Sequence, residues 1–295
     1  MGRIIPTIRR RLNGHQPPRP ARVVIGVVSA AWVFAWAVSA GAFNILVTND
    51  DGIHAEGLAV LASELSNVGK VFVVAPDQNR SGSSHSTSIV GQEFTIKRTE
   101  KDGRFFGHSV SGTPVDAVTV GVRLLHTDKH FDLLLSGINH GTNVGNIAHY
   151  SGTVGAAKEG ILLGIPSIAV SQSRRRGEFV TAARFVAQLI DQLKASALPP
   201  GVFLTINVPS GKLKGVRVAP MQEFLGRLKF EKRKDSDDIA MYRAGIEVIA
   251  PTEPGSDSSA YVNQYITVIP LTVDWNHEAT RVQLKSWDLQ APKVE

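Results

Sequence analysis

Short apolar runs alternate with amphipathic stretches along residues 44 to 207. Asn44 opens a buried-type strand, Ile45-Leu46-Val47, that runs into Asn49-Asp50-Asp51-Gly52. Leu58, Leu61, Ala62 and Leu65 then recur at helical spacing and predict a helix from about Glu56 to Ser66, closed by Gly69. Lys70 to Ala75 reads as a second strand, followed by the long polar loop Pro76 to Ser84. Strands near Phe94 to Arg98 and Phe105 to Val110 come next. Thr113-Pro114, an N-cap with a first-turn proline, opens a helix to about Leu125. Asp116 falls in its first turn, where a carboxylate complements the helix dipole. Phe131 to Ser136, Ile165 to Ser171 and Phe203 to Asn207 read as further strands. Between them lie a helix that follows Tyr150-Ser151-Gly152-Thr153 and runs through Leu163, and another from about Glu178 to Ala197.

Such a βαβ series predicts an α/β fold: a mostly parallel, right-handed sheet with helices on both faces. The core spans residues 43 to 210. Residues 211 to 295 read as a smaller β-rich lobe or arm, with strand-like runs at Val216 to Pro220 and Tyr265 to Leu271. Arg227 to Asp238 mixes acids with bases, which predicts a solvated loop or lobe rather than a nucleic-acid patch.

At 295 residues, 43% hydrophobic and 20% charged, the chain can fill the core of one main domain. It has no cysteine, which excludes disulfides, thiolate zinc sites and cysteine nucleophiles. Any metal must be held by oxygen or imidazole. The net charge of +6 would suit a nucleic acid, but Arg3, Arg9, Arg10, Arg11, Arg19 and Arg22 supply much of it, so no nucleic-acid duplex is expected as partner. Val23 to Phe43 follows, apolar and uncharged, with small residues at Ser39-Ala40-Gly41-Ala42. This order predicts a secretory signal over residues 1 to 42, a cut before Phe43, and an exported or periplasmic protein. A retained membrane anchor, or a start codon set too far upstream of a cytoplasmic chain, are the alternatives.

Polar loops follow the apolar strands at Asn49 to Gly52, Asp77 to Ser84, Ser136 to Asn143 and Ser171 to Ser173. In a parallel sheet they share the carboxyl edge, where such folds place ligands. Asp50 and Asp51 either cap a turn or bind a cation, because adjacent carboxylates repel unless something compensates them. Ser81 and Asn139 add oxygen donors, a set suited to magnesium, manganese or calcium. His54, His85 and His140 stand close by in sequence as nitrogen donors. Ser151-Gly152-Thr153 opens a helix, and its N–H groups and hydroxyls form either a plain cap or a phosphate cradle. A cation and an anion cradle in one crevice together suit phosphate-ester hydrolysis.

Five blocks carry a family resemblance. They are Asn44 to Ile53, Val74 to Gly82, Gly112-Thr113-Pro114-Val115-Asp116, Ser136-Gly137-Ile138-Asn139 and Tyr150-Ser151-Gly152-Thr153-Val154. In this order and spacing the chain resembles the SurE family of 5'/3'-nucleotidases over roughly residues 44 to 271. The resemblance implies a Rossmann-like core and a metal-dependent phosphoric monoester hydrolase, acting on nucleoside monophosphates. It also implies homodimers or homotetramers joined by exchanged C-terminal arms. The implied metal ligands are Asp50, Asp51, Ser81 and Asn139, holding Mg2+ or Mn2+. Asn143, Ser151, Gly152 and Thr153 match positions that face the phosphate. Ser256-Asp257-Ser258-Ser259-Ala260 resembles the family's Thr-Asp-x-x-Ala, and Ile266 to Leu271 its terminal strand.

The chain also departs from the family. Some relatives place a histidine, proposed as a catalytic group, four residues after an aspartate; here Glu278 is fourth after Asp274, and His277 is one short. Asp51 and His277 are thus both candidates for the base. Tyr242-Arg243 stands where many relatives have Tyr-Trp. A regulatory module that binds nucleotides without turnover would use the same crevice, but would not need a metal cage.

Overall fold

The computed structural model describes residues 43–173, 179–222, 226–236, 238–248, 253–287 and 291. The signal or anchor expectation for residues 1 to 42 lies outside them. The compact unit Gly41–Glu295 carries every element. In chain order these are β1 (Asn44–Thr48), α1 (Glu56–Leu65), β2 (Lys70–Pro76), β3 (Ile96–Lys101), β4 (Arg104–Val110), α2 (Pro114–Val120) and β5 (Leu133–His140). There follow α3 (Gly152–Leu162), β6 (Ser167–Gln172), α4 (Phe179–Ala195), β7 (Val202–Val208), β8 (Gly215–Val218), β9 (Gly226–Asp235), β10 (Ala240–Val248), α5 (Asp257–Val262), β11 (Tyr265–Thr272) and α6 (Glu278–Lys285). No helix among the described residues is long and apolar enough to cross a membrane.

Nine strands form the main sheet in the order β3-β4-β2-β1-β5-β6-β7-β11-β8. β4, β2, β1, β5, β6 and β7 run parallel, with β3 antiparallel on β4 and β11 antiparallel on β7. The chain leaves β1 toward β2 on one side and later returns to lay β5 against its other side. The switch point of the sheet therefore falls between β1 and β5, where a doubly wound sheet opens its ligand crevice.

Alternation within the apolar strands explains the two helical layers, since successive side chains point to opposite faces. Ile45, Val47, Leu133, Leu135, Ile168 and Val170 pack in one cluster with Leu58, Leu61 and Leu65 of α1 and Val186 and Ile190 of α4. Leu46, Val74 and Leu134 pack on the other face with Ala117, Val118 and Val120 of α2 and Ala156 of α3. Each fully buried leucine here contributes roughly 2 kcal/mol of transfer free energy.

The structure corrects two expectations. The helix predicted to Leu125 keeps α geometry only to Val120, then widens through Gly121–Leu125, where the His126 N–H reaches back to the Gly121 carbonyl. The charged stretch after Arg227 is not a loop but one strand of the antiparallel hairpin β9–β10. Its charges alternate with Leu228 and Phe230, so Arg227 and Glu247 pair at 2.6 Å while Leu228, Phe230 and Tyr242 share the opposite, solvent-exposed face. Charged residues on one face of an exposed strand give the same mixture of acids and bases as a solvated loop.

Candidate metal and phosphate site

Asp50 and Asp51 lie in the turn that follows β1 at the switch point. The polar loop after β2, the end of β5 and the start of α3 converge on them. Thr153, in the first turn of α3, donates its hydroxyl to Asp50 Oδ1 at 2.6 Å and its N–H to Asp50 Oδ2 at 3.2 Å. Asp51 accepts from Asn79 Nδ2 at 3.2 Å on Oδ1 and from the His140 N–H at 2.9 Å on Oδ2. The Arg80 N–H donates to the Asp50 carbonyl at 2.7 Å. Ser81 is thus next in chain to a residue bonded to the pair, and so is Asn139. The four oxygen-bearing residues expected from the sequence are drawn to one edge through their neighbours' backbone.

Close approach has a glycine requirement here. A Cβ on Gly152 would stand 2.5 Å from Ser83 Oγ and 2.9 Å from the Asp50 Cβ. A Cβ on Gly155 would stand 2.1 Å from the Ser84 carbonyl oxygen. Glycines one turn apart on α3 therefore let the serine-rich loop lie directly on the helix beside Asp50. Two carboxylates hold that loop in place. Asp116 accepts from Thr87 Oγ1, the Ser88 N–H and Ser88 Oγ, and Glu159 bonds His85 Nε2 at 2.9 Å.

Asp50 is 3% exposed, and burial pushes its carboxyl above the usual range, with the Asp51 charge adding to this and the Thr153 hydrogen bonds opposing it. Among the described residues no lysine, arginine or histidine lies within ion-pair distance of either aspartate. Ser83 Oγ, Thr48 Oγ1 and Ser136 Oγ are buried near this edge without a hydrogen-bond partner. Paired carboxylates with no protein cation, beside an all-oxygen donor set, fit a hard divalent ion. Two of the three candidate imidazoles turn elsewhere: His85 toward Glu159, and His140 onto the Phe179 ring at 4.8 Å.

The expected phosphate residues divide. The Ser151 hydroxyl is the N-cap of α3 and accepts from the Val154 N–H at 3.2 Å, while the Thr153 hydroxyl is spent on Asp50. The side chains therefore act as a cap and an anchor, the N–H groups of Thr153 and Val154 are committed with them, and what α3 offers an anion is chiefly its dipole. Asn143 is buried with its Nδ2 donating to Ser171 Oγ at 2.8 Å and its N–H to Asn207 Oδ1 at 2.7 Å. Asn79 and Asn207 were missed in the sequence; Asn207 ends a strand on the same edge, which was its available signal. His277 is not brought to the pair by any described bond. It caps α6, accepts from the Thr280 N–H and bonds Thr280 Oγ1 at 2.7 Å.

These features define a class: a doubly wound α/β protein whose crevice is built on paired aspartates at the switch point. The family model of the survival protein SurE matches residues 45–225, and the chain belongs to the SurE family. It is 41% identical over 256 residues to the 5'-nucleotidase SurE of Desulfatibacillum aliphaticivorans, covering 84% of this chain and 100% of that one. It is 39% identical to the 5'-nucleotidase SurE of Anaeromyxobacter dehalogenans (strain 2CP-1), covering 85% and 98%. The crystal structure of the SurE protein from Aquifex aeolicus superposes with a TM-score of 0.72 at 33% identity, covering 82% of this chain and 98% of that one. The resemblance read from the five blocks is thereby borne out, as is the α/β fold.

Proposed function

We propose that the chain is a metal-dependent 5'/3'-nucleotidase that hydrolyses nucleoside monophosphates to nucleoside and phosphate. The observation that carries this is the buried Asp50, tied to the N-terminus of α3 and paired with Asp51 without a protein cation. Asp50, Asp51, Ser81 and Asn139 would hold the ion, with Mg2+ or Mn2+ the match to their hard oxygens. A divalent cation there supplies Lewis-acid polarisation of the phosphoryl group. The protein's own part is orientation. The Asn143 amide, fixed by Ser171 and Asn207, steadies the phosphoryl oxygens, and the α3 N-terminus complements their charge. Asp51 accepts the proton of the attacking water; His277 is held by Thr280 within α6.

The test is phosphate release across a panel of 3'- and 5'-monophosphates, with each divalent metal and with chelator. Release that needs metal and stops with chelator is expected. No phosphate from any monophosphate with any metal would overturn the reading, and nucleotide affinity indifferent to chelator would point to a binding module instead.

The relatives' names support the nucleotide substrate. The exposed face of Leu228, Phe230 and Tyr242 supports assembly with further copies, since an isolated two-stranded hairpin is marginal in water. The basic and then apolar order of residues 1 to 42 supports export. One preparation from expressing cells checks both: a mature chain beginning at Phe43, in a particle two or four times the protomer mass. A monomer starting at Met1 would contradict both.

A further inference from the structure

We infer that Asp257 is a positioning residue for the phosphate-facing loop: its carboxylate, carried at the start of α5, fixes the turn after Asn143 through the N–H of Gly145. This rests on the nucleotidase reading above. The mechanism leaves Ser256-Asp257-Ser258-Ser259-Ala260 unused, yet Asp257 is 1% exposed and heavily bonded. Its Oδ2 accepts from the Gly145 N–H at 2.7 Å, across 112 positions of sequence. Its Oδ1 accepts from the Gln222 N–H at 2.9 Å, the Ser258 N–H at 2.6 Å and Ser258 Oγ at 3.1 Å. Among the described residues no cationic side chain pairs with it, so these donors alone stabilise the charge.

The place of Gly145 gives the bond its consequence. Gly145 has a φ of +59°, a turn conformation that suits glycine, and it opens the helical turn Gly145–Tyr150. That turn joins Asn143 to the cap of α3, so it spans both phosphate-facing elements. At its far end the Ser84 N–H donates to the Tyr150 carbonyl at 3.1 Å and Ser84 Oγ to the His149 carbonyl at 2.7 Å. The near end is tied by Asp257. Where Asn143 sits relative to α3 therefore depends on a carboxylate that touches no substrate.

The split between the two oxygens supplies the experiment. In Asp257→Asn the amide oxygen satisfies the three-donor side and the NH2 group faces the Gly145 N–H, donor against donor. That change removes the link to the loop while keeping the bonds to Gln222 and Ser258. Ser258→Ala does the reverse, deleting one Oδ1 bond and sparing Gly145. In Asp257→Asn, KM for a nucleoside monophosphate and the inhibition constant of inorganic phosphate are each expected to rise about tenfold, because a displaced Asn143 weakens phosphate binding in ground and transition states alike. Ser258→Ala leaves both within about twofold, the scale of an interaction the phosphate does not feel. Amide hydrogen exchange over residues 143 to 150 accelerates in Asp257→Asn only. A merely structural role would lower the melting temperature and the active fraction of both variants, hence kcat, with KM unmoved; that result overturns the inference. If the wild-type protein releases no phosphate, the nucleotidase reading fails by itself. The exchange measurement then still decides, since unchanged protection at Gly145 in Asp257→Asn refutes the link.

Discussion

Replacing Asp51 by asparagine is expected to lower kcat/KM for nucleoside monophosphates by about a thousandfold or more, at metal concentrations that saturate the wild-type protein. The physical ground is charge. Asp50 is buried and pays desolvation for its own ionisation, so Asp51 is the second negative charge that a divalent ion needs at this edge. Asparagine has the same shape and keeps one acceptor oxygen, but its NH2 group must face either Asn79 Nδ2 or the His140 N–H, both donors. The variant thus loses a charge and also loosens one of the two loops that deliver Ser81 and Asn139. Several kcal/mol of cation and transition-state stabilisation disappear together, and each 1.36 kcal/mol is a factor of ten. Manganese titration by calorimetry should show the affinity falling in parallel, while the melting temperature stays close to wild type because Asp51 is only partly buried. Unchanged turnover would remove the metal mechanism altogether.

The sheet was legible in the sequence because its information is local. Runs such as Ile45-Leu46-Val47 and Leu133-Leu134-Leu135 report burial on both faces, and the polar residues after each run mark the carboxyl edge. Asp50, Asp51, Ser81 and Asn139 could be named for the same reason, helped by the family resemblance of the blocks that contain them. What could not be read was partnership at a distance. Nothing near Thr153 says that its hydroxyl is committed to Asp50, and nothing near Asp257 says that it reaches Gly145. The β9–β10 hairpin was hidden for another reason: its solvent-exposed apolar face lacks the buried pattern that normally reveals a strand. Asp116 shows the two levels in one residue. Its helix-capping role was visible from Thr113-Pro114, and its role as anchor of a loop 28 positions away was not.

That double role makes Asp116→Ala the substitution with the largest expected cost in stability, roughly 3 kcal/mol at neutral pH. The carboxylate is 1% exposed and closes a capping box with Thr113, whose N–H donates to Oδ2 at 2.8 Å. It also accepts from Thr87 Oγ1 at 2.5 Å and from Ser88 Oγ and N–H at 2.8 and 3.0 Å. Alanine leaves these donors facing an apolar methyl, which costs more than the bonds themselves were worth. Burial pushes the Asp116 carboxyl upward, but the hydrogen bonds from Thr87, Thr113 and Ser88 outweigh it and hold the group below the ordinary carboxylate range. A folded-state value below the unfolded one means that the stabilisation is fully present above about pH 4, the unfolded reference, and is lost as pH falls through the lower folded value. Melting temperatures of wild type and Asp116→Ala should therefore be separated by roughly 6–12 °C at pH 7, and the gap should narrow as pH falls below about 4. A gap that stays constant across the whole acid range would mean the carboxylate's charge contributes nothing. The same substitution frees the segment Ser86 to Ser88, which lies between Ser81 and the rest of the fold. Activity at 25 °C should fall only modestly where the protein remains folded, because the bonds of Arg80, Ser84 and His85 still hold the part of the loop that carries Ser81.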